Sequence, residues 1–171
     1  MSVDFSSVIA ATARWLTRAY PPPGGAMSAA LAEAQARQAA TVAAWLRYPT
    51  EVDAALAAMA GCGGSARLDR VVGAGARDAA EYAWRTWVDE VVASWAACLL
   101  ASPELARAAV EALAGSEHAG VTPREFRRLT APDEHDRQAA PLLRHPDLVG
   151  PVAELHRAPL LARLQADPVP G

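Results

Sequence analysis

The sequence predicts an all-α, single-domain bundle of five to seven helices around one long central helix, spanning about residues 76–101. Three observations predict it. Alanine supplies 42 of the 171 residues, and it is the best helix former because its methyl group loses no rotamer freedom. Apolar residues recur at steps of three and four between Gly and Pro punctuation, with no alternation of β-branched residues to mark a strand. Finally, the stretch from Gly75 to Ala101 carries three of the five tryptophans; its first half is two-faced and its second, Val91 to Ala101, is uncharged. A helix of that pattern enters the middle of a bundle.

The elements follow in order. A first helix over Ser6 to Ala19 places Phe5, Val8, Ile9, Trp15, Leu16 and Ala19 on one side, and Pro21-Pro22-Pro23-Gly24-Gly25 ends it. Ser28 caps a second helix carrying Leu31, Val42, Trp45 and Leu46, which stops at Pro49. Thr50 and Asp53 form a variant capping box for a third helix presenting Val52, Leu56 and Met59 and closed by Gly61. The glycine-rich connector Gly61-Cys62-Gly63-Gly64-Ser65, a short segment from Leu68 to Val72 and the long central helix come next. Ser102-Pro103-Glu104-Leu105 opens a helix to Ala114, ended by Gly115. Thr122-Pro123-Arg124-Glu125 is a capping box that starts a short helix to Leu129.

Beyond Ala131 the chain changes character. Seven of the thirteen prolines fall in the last 41 residues, and one aromatic, Phe126, lies beyond Trp95. The expected division is a core built by residues 1–115, a proline-interrupted wrapping segment of short helices over 116–165, and a frayed tail over 166–171.

Composition removes several chemistries. All sixteen basic residues are arginine, so a lysine nucleophile, Schiff base or P-loop lysine is excluded for this chain. The net charge of −3 divides as 0, −2 and −1 over residues 1–60, 61–115 and 116–171. No block is basic enough to track a phosphate backbone, so no nucleic-acid partner is expected. The uncharged run of 11 residues is far short of the roughly 20 that span a bilayer. With two cysteines and no basic, apolar leader, the expected location is the cytoplasm, with no membrane partner.

Several groups of residues are candidates for chemistry. His135, His145 and His156 each lie near a carboxylate, in Asp133-Glu134-His135-Asp136, His145-Pro146-Asp147 and Glu154-Leu155-His156, and would bind metal if they converged. Their spacings of 10 and 11 match no ligand pattern. Asp78, Glu81, Arg85 and Asp89 form a stripe that reads as a solvent face with Glu81–Arg85 and Arg85–Asp89 pairs, since Glu-x-x-His, the di-iron signature, is absent. Cys98 reads as a buried small hydrophobe and Cys62 as an exposed thiol. The glycines between Gly61 and Gly75 follow a helix rather than a strand, so they read as a connector and not a phosphate loop. Arg124, Arg127 and Arg128 around Phe126 are an anion-binding candidate at a helix start. On the central helix Trp84, Val88, Val91 and Trp95 share a face, with Trp87 about 60° away on another flank.

The function expected from these features is a non-catalytic helical interaction or accessory subunit, self-associating or partnering an enzyme, with no cofactor. The alternative is a small helical enzyme or ligand-binding protein with an apolar pocket near Trp84, Trp87 and Trp95, for an apolar small molecule. A weaker alternative is metal-dependent activity of His135, Asp136, His145 and His156.

Overall fold

A computed structural model describes residues 5–60, 64–74, 83–120 and 123–166. These residues form ten α-helices and no strand. Helix α1 (Ser6–Ala19) turns through the prolines and Gly24, whose φ of 86° lies in the left-handed region, into α2 (Ala26–Arg47). Gly25, not Ser28, is the N-cap of this second helix. Its buried face is almost wholly alanine: Ala32, Ala36, Ala39, Ala40, Ala43 and Ala44 are all inaccessible. Side chains that small let helix axes approach closely, and α2 packs against both α1 and the central helix α5 (Glu90–Ala101).

Helix α5 is the centre the sequence called for, but it is shorter. Every residue from Val92 to Leu100 is buried, and α5 packs against α1, α2, α9 and α6. The expected continuous helix over 76–101 is corrected by its start. Ala83–Trp87 is a 3-10 turn, Val88 and Asp89 are non-helical, with Asp89 extended, and α5 begins at Glu90. Asp89 is the reason. Its carboxylate accepts from the Val91 and Val92 backbone N–H groups at 2.8 and 3.0 Å and from the Tyr48 hydroxyl. An N-cap requires non-helical backbone, so this carboxylate ends one segment and starts the next. Residues 75–82, which carry Asp78 and Glu81, lie outside the described residues, as do Cys62 and the tail beyond Ala166.

Helix α3 (Glu51–Ala60) is opened by Thr50 and Asp53 as expected: the Asp53 N–H donates to Thr50 Oγ1 and the Thr50 hydroxyl donates to Asp53 Oδ2. After α4 (Ala66–Val71) comes Gly73, with φ of 71°, and the Ala74 N–H donates back to the Asp69 carbonyl, closing the helix in a Schellman turn. Helix α6 (Pro103–Ala112) is capped by Ser102, whose Oγ accepts from the Leu105 N–H, and runs into a 3-10 turn at Leu113–Gly115. A third 3-10 turn, Pro123–Phe126, replaces the first part of the expected helix to Leu129, and α7 (Arg127–Thr130) continues it.

The last three helices are α8 (Glu134–Ala139), α9 (Pro146–Ala153) and α10 (Arg157–Gln165). They do more than wrap. Leu129, Leu143, Val149, Val152 and Leu160 are fully buried in the same cluster as Trp15, Leu16 and Leu99, so the core extends well past residue 115. A buried polar network fastens them. Arg144 donates to Gln35 Oε1, to the Leu100 carbonyl and to the Arg128 carbonyl, while Gln35 donates to the Asp136 carbonyl at 2.8 Å. Burial lowers the Arg144 guanidinium to about 10. Each of these groups would be costly unpaired, and together they pair α2, α5, α7 and α8.

Candidate functional site

The three candidate tryptophans occupy three different environments. Trp95 is 3% exposed, and its indole N–H donates to the His156 carbonyl at 2.9 Å. Trp84 is half-buried beneath the guanidinium groups of Arg14, Arg18 and Arg85, at 5.4 to 5.7 Å from its ring. Trp87 is 50% exposed on its 3-10 turn. They do not enclose one pocket: Trp95 borders an open groove of about 570 Å³ with Arg47, Asp53 and Arg163, and neither other tryptophan lines it.

Of the charged stripe, Asp78 and Glu81, and with them the expected Glu81–Arg85 pair, lie outside the described residues; the expected Arg85–Asp89 pair is corrected. Arg85 pairs with Asp69 at 2.8 Å, not with Asp89, and Asp69 also accepts from the Trp15 indole at 2.9 Å. Asp89 is buried on its capping duty rather than facing solvent. Arg127 and Arg128 converge on Asp136, whose carboxylate is fully buried and accepts the Asp133 N–H as half of a capping box. The reciprocal bond, from the Asp136 N–H, holds Asp133 below the usual carboxylate range. Only Arg124, exposed beside Phe126, keeps its guanidinium out of that cluster. The anion-site arginines are thus largely spent on tying α7 to α8.

The histidines do not meet. His135 and His145 are exposed, while His156 Nε2 lies 3.1 Å from Glu90 Oε2. Among the described residues no group of three or more His, Cys, Asp or Glu side chains is placed to hold a metal ion. Cys98 is buried as expected; its thiol donates to the Ala153 carbonyl at 3.3 Å, and burial pushes it up to about 11. Likewise, no helix among the described residues is long and apolar enough to cross a membrane.

Two features emerge that the sequence did not mark as sites. The first is the outward face of α3. Val52, Leu56 and Met59 are 68%, 55% and 77% exposed, at positions i, i+4 and i+7, and so form one apolar stripe. Helix α3 is held mainly at its start. Ala54 is buried there, and the Glu51 N–H donates to Glu117 Oε2 at 2.8 Å. Glu51, Asp53 and Glu117 make that end of the helix acidic.

The second feature is a cleft of about 460 Å³ between α6 and the turn at Pro123–Phe126. Val110, Leu113, Ala114 and Phe126 line it, with Arg107 and Glu111 on α6 and His118 on another side. The His118 ring stacks on Trp45 at 5.0 Å and meets Phe5 edge-on. Its Nε2 lies 3.1 Å from the Tyr48 carbonyl. A carbonyl only accepts, so Nε2 carries a proton and donates it there. Comparison with protein-family models, with curated proteins and with solved structures finds no match to this chain.

Proposed function

We propose that this chain is a helical interaction subunit whose α3 docks into an apolar groove of a partner protein. The observation that carries the reading is the stripe Val52, Leu56 and Met59, three large apolar side chains exposed together on one face of one helix. Spacing of i, i+4 and i+7 is the anchor pattern of a helix laid into a groove.

Area decides between a groove and a second copy of α3. From their exposures the three side chains present roughly 350 Å², so a symmetric pair would bury roughly 700 Å², well below the ~1,200 Å² of a stable interface. A groove surrounds the helix and removes more surface per residue. Charge narrows the partner further: Glu51, Asp53 and Glu117 favour basic residues at one end of that groove.

A photo-crosslinking amino acid at position 56, with position 27 as a still more exposed control on α2, tests the reading in the native cell. The expected result is a single adduct to another protein from position 56 and none from position 27. Equal labelling from both positions, or an adduct only to a second copy of this chain, contradicts it.

A further inference from the structure

The cleft beside α6 carries an inference independent of α3. Arg107 and Glu111 stand one turn apart on α6, a spacing at which a guanidinium and a carboxylate ordinarily pair. Here they do not. Arg107 Nη1 donates instead to the Thr130 carbonyl at 3.2 Å, joining two sides of the cleft. Neither residue belongs to an ion pair among the described residues. The rim therefore holds one fixed cation and one free anion side by side, above a floor of Val110, Leu113 and Phe126.

We propose that this cleft binds an apolar α-amino acid: an ammonium and a carboxylate on one carbon, with a hydrocarbon or aromatic side chain. Arg107 has donors left beyond the one given to Thr130, and a planar guanidinium held in place is suited to a carboxylate. Glu111 takes the ammonium. The side chain lies against Val110, Leu113 and Phe126, and about 460 Å³ admits a single small molecule of this size. A ligand with only one charge would meet a like charge one turn from its partner, and a zwitterion satisfies both.

The test is a titration of the full chain with L-phenylalanine, 3-phenylpropionate and phenethylamine, read by NMR chemical shifts. Phenylalanine is expected to saturate and to bind about tenfold more tightly than either singly charged analogue, because each charge-assisted contact is worth about that factor. Arg107→Gln removes its advantage over phenethylamine, and Glu111→Gln its advantage over 3-phenylpropionate; both residues are exposed, so the fold is retained. Ala114→Phe, filling the cleft from an exposed position, abolishes binding. No saturable response to phenylalanine, equal binding of the analogues, or binding unchanged in Ala114→Phe overturns the proposal. Leu56→Glu leaves this titration unchanged, which separates its outcome from that of the docking helix.

Discussion

Asp89 offers the sharpest test of how the centre of this fold is built. If residues 76–101 were one helix with Asp89 on its solvent face, Asp89→Ala would be neutral or stabilising, since alanine is the better helix former. The structure requires the opposite. Asp89 caps α5 through the Val91 and Val92 N–H groups and accepts the Tyr48 hydroxyl from α2's end. Loss of the cap costs about 1 kcal/mol, and loss of a hydrogen bond to a charged group costs about 1.5 kcal/mol when one partner can regain water. The sum is about 2.5 kcal/mol. For a chain of this size that lowers Tm by about 5–10 °C. Two companions dissect it. Asp89→Asn keeps a good capping oxygen and loses less than half as much, and Tyr48→Phe removes only the hydroxyl. In a double-mutant cycle of Asp89→Ala with Tyr48→Phe, the pair couples by about 1 kcal/mol. Thermal and urea unfolding followed by circular dichroism read all four variants. An unchanged or raised Tm for Asp89→Ala refutes the break before Glu90.

Two further outcomes follow from the buried network and the buried thiol. Arg144→Met keeps the side-chain length but strands Gln35 Oε1 and the Leu100 and Arg128 carbonyls, so it costs about 3 kcal/mol; urea unfolding shows the loss, and a variant as stable as the parent would mean that the segment after α8 is held by apolar packing rather than by these bonds. In a Cys62→Ser background Cys98 is the one remaining thiol, raised to about 11 by burial. At pH 8 it therefore stays protonated and resists Ellman's reagent until the chain unfolds, whereas rapid labelling of the native protein would contradict its burial.

Local signals carried much of the fold. The limits of α1 follow from its apolar spacing and the proline run; Thr50 and Ser102 mark helix starts through bonds made within three residues, and Pro103 through its fixed φ at the first helical position. The break at Asp89 left no such trace. Its neighbours keep helical spacing, and the group that completes its environment, the Tyr48 hydroxyl, is 41 residues away. The arginine cluster is similar. Arg127 and Arg128 look like an anion site until Asp136, folded back by its own capping box, fills the place of the anion. Gln35 and Arg144 meet across 109 residues. Periodicity shows which face of a helix is apolar but not what that face meets. Val52, Leu56 and Met59 were legible as a stripe, while their outward direction was not. The cleft depends on Arg107 reaching to Thr130 rather than to Glu111, a choice no spacing rule records.

The proposed role of α3 as a docking element is tested most directly by affinity for the protein crosslinked at position 56. With both proteins purified, Leu56→Glu is expected to weaken binding at least 30-fold, the cost of about 2 kcal/mol or more at an interface anchor. Tm stays unchanged, because Leu56 is more than half exposed, and Met27→Glu binds like the parent. Equal affinity for Leu56→Glu and the parent would contradict the account.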